Sequence, residues 1–135
     1  MNQYTERFFA QFANQWVEVS RDARRTIEEV NTQEFCVQRY TVHAQIGLGN
    51  HFHQVVESFY FATGTGVIYL VPVVNGELDL ANRSKVEVGP GSTLEVPPDM
   101  VHLFMMERGA LFFCHSHGSF EAKWSTTTTL AITPW

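Results

Sequence analysis

From Tyr40 through Gly76 the chain carries one Asp, Glu, Lys or Arg, which is Glu57, and the same stretch holds three of its six histidines, His43, His51 and His53. A carboxylate on an apolar strand is costly to bury unless a cation, a metal or several hydrogen bonds compensate it, so an inward-pointing Glu57 needs partners. His51 and His53 are the obvious ones. Residues two apart on an extended strand project to the same face, so both imidazoles can be presented to one point. Glu57 follows across a turn at Gln54-Val55, at the start of the next strand, with Phe59 and Phe61 on its own face. Two imidazoles and a carboxylate suit a divalent transition metal such as iron, zinc, nickel or manganese. His102, after the turn Pro97-Pro98-Asp99 and ahead of an apolar run, is a fourth candidate ligand. Taken singly, each histidine reads as an ordinary polar residue at a strand end.

Phe59, Phe61, Phe104 and Met106 share the alternation of these ligands and are the expected apolar walls of a small-molecule site, where a low dielectric strengthens whatever electrostatics the metal supplies. A second cluster, Cys114-His115-Ser116-His117, lies on a late strand. There His115 is a candidate general acid or base and His117 a candidate substrate contact, each equally readable as an exposed strand-end residue. Arg39 and His43 share a face of the strand leading into the first histidines, and if that face is inward Arg39 can fix an anionic substrate.

The elements that must position these groups are mostly short strands rich in Val, Ile, Thr, Phe and Tyr. They fall at 25–30, 35–44, 56–62, 66–74, 85–88, 93–96, 101–106, 110–117 and 125–132. Turn signals separate them, among them Asn75-Gly76, Gly89-Pro90-Gly91 and Pro97-Pro98-Asp99. Near the start, Phe8, Phe12 and Trp16 recur every fourth residue and predict a short helix with one aromatic face. Many short strands with close turns and no alternating helices indicate an antiparallel sandwich or barrel with a small helical appendage.

Composition agrees. The 135 residues are 44% hydrophobic and 17% charged, which suits one domain, 1–135, with a core that needs no disulfide or metal staple. Nine basic against fourteen acidic residues argue against nucleic acid or an anionic lipid surface as a partner. No stretch reads as a transmembrane span or a signal peptide, and Cys36 and Cys114 read as reduced, buried thiols, so the expected location is the cytoplasm.

The residues Gly47-Leu48-Gly49-Asn50-His51-Phe52-His53, then Glu57 and Gly64, resemble the first cupin motif, HxH-x3-E-x6-G with an upstream glycine. Gly91, Pro97 and His102 resemble the second. Three residues separate Gly47 from His51 where the motif has five, Asp99 stands at a usual glycine, and Met106 at a terminal asparagine. Asp99 can still adopt the left-handed turn conformation. The motifs span 47–64 and 91–106, and the resemblance implies a cupin, a double-stranded β-helix or jelly-roll barrel, with His51, His53, Glu57 and His102 holding the metal. Within the family the chain is most similar to sugar-processing and polysaccharide-biosynthesis members. That implies an isomerase or epimerase acting on a sugar nucleotide, with His51 or His53 as base. An iron-dependent dioxygenase of a small organic substrate and a non-catalytic small-molecule binder are the alternatives. The resemblance also implies a homodimer paired through edge strands, with the aromatic helix and the Thr-rich last strand as candidate surfaces.

Overall fold

The computed structural model describes residues 15–31, 36–45, 47–117, 123 and 125–135. The helix expected over Phe8 and Phe12 lies outside them; Trp16, the last residue of that stripe, is described and is not helical. Twelve strands follow in chain order: β1 Val17–Arg21, β2 Arg25–Asn31, β3 Cys36–Val42, β4 Leu48–Phe52, β5 Glu57–Thr63 and β6 Gly66–Val74. They continue as β7 Glu77–Leu78, β8 Ser84–Val88, β9 Thr93–Val96, β10 Met100–Met106, β11 Leu111–Ser116 and β12 Thr128–Thr129. Most expected strands stand within a residue or two. The stretch 125–132 does not: only Thr128–Thr129 is strand, and Lys123 and Ser125 are helical.

The strands form two sheets in the orders β1-β2-β3-β11-β5-β9 and β12-β4-β10-β6-β7, with β8 also on β6. Every neighbour pair is antiparallel. Period-two alternation turns one face of each sheet toward the other. Val42, Phe59, Phe61, Val96, Phe112 and Cys114 of the first sheet meet Leu48, Ile68, Leu70, Val88, Phe104 and Met106 of the second in one buried cluster. This is the all-β, face-to-face barrel that the alternation of strands and turns implied.

Both outer faces also carry apolar cover. Val30, Val37 and Tyr60 lie behind the first sheet with Trp16, Ala62 and Phe113. Behind the second sheet, Phe52, Val71, Val101 and Leu103 are covered by Leu130, Ile132 and Trp135. Turn chemistry sets the registers. Asn75 and Gly76 take φ of 52° and 78° in a two-residue hairpin between Val74 and Glu77, and Asp99 takes φ of 57°, the left-handed conformation expected of it. Among the described residues no helix is long and apolar enough to cross a membrane.

Candidate metal centre

Strand β4 delivers His51, and His53 follows directly after it; β10 delivers His102, and β5 begins with Glu57. His51 and His102 face each other in the β4–β10 register, which shifts between His102 and Leu103. The shift is made possible by Gly49, at φ 98°, where a Cβ would stand 2.6 Å from the His102 carbonyl oxygen. The ligand nitrogens of His51, His53 and His102 then lie within 4.8 Å of one another.

Glu57 is buried at the same point. Its Oε1 lies 3.1 Å from His53 Nε2 and 3.6 Å from His102 Nε2, and its Oε2 lies 3.0 Å from the Lys123 ammonium. The Cys114 thiol also donates to Oε2, at 3.0 Å. Burial alone would push the Glu57 carboxyl up; the Lys123 ammonium, with the neighbouring imidazoles, outweighs it and holds the group well below the usual carboxylate range. Lys123 remains charged although burial opposes it. Cys114, Tyr40 and Glu57 each favour the ammonium, and of these only Glu57 is ionised near neutrality, since burial raises both the thiol and the phenol.

Donor accounting fixes two of the rings. His102 Nδ1 lies 3.1 Å from the Met100 carbonyl, which can only accept, so Nδ1 carries a proton. Thr127 Oγ1 spends its proton on the Lys123 carbonyl at 2.9 Å, so it must accept from His53 Nδ1 at 2.7 Å. With Nδ1 carrying a proton in each ring, Nε2 is the nitrogen left to bind an ion, and both Nε2 atoms face Glu57 Oε1. Three imidazoles and a carboxylate, each imidazole so constrained donating its other N–H outward, form a donor set that fits a divalent transition metal. Burial and the adjoining imidazoles press His51 down to about 3, and burial takes His102 to about 4, so both rings are neutral at physiological pH.

A cavity of about 240 Å³ opens on this centre. Glu57, His51, His102 and Lys123 supply its polar lining, Ile27, Leu48, Phe59, Phe104 and Phe112 its apolar walls, and Tyr40, Gly49, Arg24 and Arg25 complete it. Phe61 and Met106 lie in the core behind those walls. Asp22 organises the arginine pair: its Oδ1 accepts both backbone amides, while Oδ2 accepts Arg24 Nη2 at 2.9 Å and lies 3.1 Å from Arg25 Nη1. Two guanidiniums thus share one carboxylate.

Other expected site residues are placed elsewhere. Arg39 lies on the outer face of the first sheet, bidentate to Glu28 at 3.0 and 2.7 Å and stacked over Trp16, because Gln38, Tyr40 and Val42 take the inward positions of β3. His43 is turned to Thr26 Oγ1 at 2.6 Å, away from the cavity. His115 and His117 share a face with Phe113, opposite the inward Phe112 and Cys114; their rings are 4.9 Å apart and His117 bonds Ser58 Oγ at 3.1 Å. The structure therefore does not bring Arg39, His43, His115 or His117 to the centre. Sequence reasoning missed Lys123, Tyr40, Phe112 and the Arg24–Arg25 pair. The two adjacent arginines after Asp22 were a visible signal; Lys123 had none.

No family model matches the chain, and no curated protein matches its sequence. Solved structures do match. CapF, solved with the inhibitor 3-isopropenyl-tropolone, superposes with a TM-score of 0.71 at 19% identity, over 87% of this chain and 34% of that one. A tryptophan-to-phenylalanine variant of Bacillus subtilis oxalate decarboxylase gives 0.71 at 16%, over 88% and 31%. Both have cupin folds. This chain has a cupin fold. The chain spans about a third of the length of either neighbour, and at these identities the likeness is one of fold.

Proposed function

We propose that this cupin binds a divalent transition metal through His51, His53, His102 and Glu57 Oε1, and uses the site to act on a small carbonyl or hydroxyl compound. The observation that carries the reading is the convergence of one ligand nitrogen each from His51, His53 and His102, within 4.8 Å of one another, with Glu57 Oε1 beside two of them. The Mn(II) centres of Bacillus subtilis oxalate decarboxylase, whose fold this chain shares at a TM-score of 0.70 and 15% identity, support the choice of ion class. A bound ion of this kind supplies Lewis acidity toward an oxygen of the substrate.

The substrate class we propose is the sugar nucleotide or a related phosphorylated compound, and the reaction a proton transfer of isomerase or epimerase type. Arg24 and Arg25, with one carboxylate between them, suit the charge of a phosphate or diphosphate. At about 240 Å³ the cavity is below the roughly 300 Å³ at which small-molecule sites usually begin, so it suits the reacting end of such a molecule, with the nucleotide outside. His51 lines the cavity, whereas His53 is engaged at both nitrogens by Thr127 and Glu57; in the metal-free reading His51 is the base at the carbon beside the carbonyl. The wall of Phe59, Phe104 and Phe112 favours a second reading, an iron-dependent dioxygenase of a small organic substrate. A binder without catalysis is the third. We place the chain in the cytoplasm as one domain.

The test is metal binding followed by turnover. Protein loaded with Mn, Fe, Ni or Zn is expected to bind at least one ion with better than micromolar affinity, and His51→Ala or Glu57→Ala to weaken it about 10- to 100-fold or more. Sugar nucleotides in D2O are then expected to exchange a carbon-bound proton, and Arg25→Ala to raise KM with little change in kcat. A parent that binds none of the four ions sinks the metal reading.

A further inference from the structure

Residues Lys123, Thr127 and Thr129 touch the centre at three points. Lys123 Nζ lies 3.0 Å from Glu57 Oε2 and donates to Gln38 Oε1 at 2.7 Å, with the Lys123 and Glu57 side chains each 2% exposed. Its carbonyl accepts the Thr127 hydroxyl, whose oxygen holds His53 Nδ1. Thr129 pairs with His51 between β12 and β4. Gln38 is itself braced, accepting Tyr40 OH at 2.6 Å and donating to Glu29 at 2.9 Å, so the ammonium is held from behind by a buried network.

The two oxygens of Glu57 are thereby divided. Oε2 is taken by Lys123 and by the Cys114 thiol, while Oε1 alone faces the imidazoles. A carboxylate with one oxygen bound to an ammonium can offer an ion the other oxygen only. The same ammonium supplies positive charge beside a buried carboxylate whenever the ion is absent, and opposes a cation brought to its far side.

Resting on the metal reading above, we propose that Lys123 is a positioning residue of the centre. It confines Glu57 to one-oxygen ligation, orients His53 through Thr127, and keeps the ligands assembled without an ion, at the expense of ion affinity.

The probe is Mn2+, followed by calorimetric titration, by the Mn(II) electron paramagnetic resonance spectrum and by melting in EDTA. Lys123→Met is expected to bind Mn2+ about 10- to 100-fold more tightly than the parent, because the opposing charge is gone. Its spectrum is expected to change as the second Glu57 oxygen becomes available. In EDTA it is expected to melt roughly 10 °C lower, and the gain on adding Mn2+ to grow. Lys123→Arg, which keeps the charge, is expected to restore affinity to within a few-fold of the parent. Should Lys123→Met prove too unstable in EDTA to measure, the double variant Lys123→Met/Glu57→Gln is expected to melt higher, because no carboxylate is stranded; a double variant no more stable than the single one overturns the proposal. So does a Lys123→Met protein with the parent's affinity and spectrum. A parent that binds no ion shows itself in the first titration and removes the metal reading and this inference together, whereas an indifferent Lys123 variant of a metal-binding parent removes this inference alone.

Discussion

At the scale of single residues, the centre is made from protonation states that the surroundings dictate. His51 and His102 are held neutral down to about 3 and about 4, against an ordinary value near 6.5 that the unfolded chain recovers. Between those values the unfolded state binds more protons than the folded one, so stability falls as pH falls, beginning near 6.5 and continuing to about 4 for His102 and about 3 for His51. Glu57, held below its ordinary range, adds loss in the same direction below about pH 4.5. We expect the metal-free protein to lose about 2 kcal/mol per imidazole between pH 6.5 and 4.5. Urea midpoints at pH 7, 6, 5 and 4.5 check this, and a flat profile would contradict the buried, neutral rings. His51, His53, Glu57 and His102 were legible in the sequence because their types are rare in that apolar stretch and their spacing is short. Lys123 was not, since a lysine in a polar run beside four threonines reads as a solvated residue, and its partner Glu57 is distant in the chain. Arg39 misled for a different reason. Strand β3 buries Val37 on one face and Gln38 and Val42 on the other, so apolar alternation does not say which side is inward.

At the scale of elements, the centre depends on the shifted register between β4 and β10. Gly49 and Asn50 both take positive φ there, at 98° and 64°. Asn50 also fastens the last residues: its Oδ1 accepts the Ile132 amide at 2.8 Å and its carbonyl the Leu130 amide at 3.3 Å. Gly49→Ala would put a methyl 2.6 Å from the His102 carbonyl in a disfavoured conformation, which we expect to cost about 2–4 kcal/mol and to weaken metal binding by displacing His51 from His102. Gly76→Ala, at a similar φ with nothing within 4 Å, is the control and is expected to cost only about 1 kcal/mol and leave the metal untouched. Denaturant midpoints and a metal titration on the two variants separate the effects; equal losses would remove the special role of the register shift. Most of the strands were readable because they bury one face and close on a Gly, Pro or Asn, as β5, β6 and β9 do at Gly64, Asn75 and Pro97; β4 and β7 fell outside the expected ranges. β1 was not readable, because Val17 and Val19 alternate with polar residues after an aromatic stripe that carries a helical period. The helical backbone at Lys123 lacked any periodic signal.

At the scale of the whole molecule, β1 is the edge of the first sheet among the described residues and leaves Val17 63% and Val19 48% exposed. An open edge strand with apolar side chains invites pairing with a second copy. We expect a homodimer, with light scattering behind gel filtration giving twice the chain's 15.4 kDa, and Val17→Lys with Val19→Lys shifting it to the monomer. A parent that runs as a monomer at micromolar concentration would discard the pairing. The Thr-rich segment, the other surface expected to pair, is engaged within the chain: Thr128 and Thr129 pair with β4 while staying exposed, and Thr126 and Thr127 cap the Lys123 carbonyl.

That last arrangement sets an order of events during synthesis. The four candidate ligands leave the ribosome before Lys123 and Thr127, which follow His102 in the chain. At about 5–20 residues per second the interval from His102 to Lys123 is roughly 1–4 s. Through that interval His53 has no Thr127 to fix its tautomer, and Glu57 has no ammonium beside it. The nascent chain therefore presents a looser, more anionic ligand set than the finished protein. An ion offered at that stage would meet Glu57 before the ammonium that opposes it is in place.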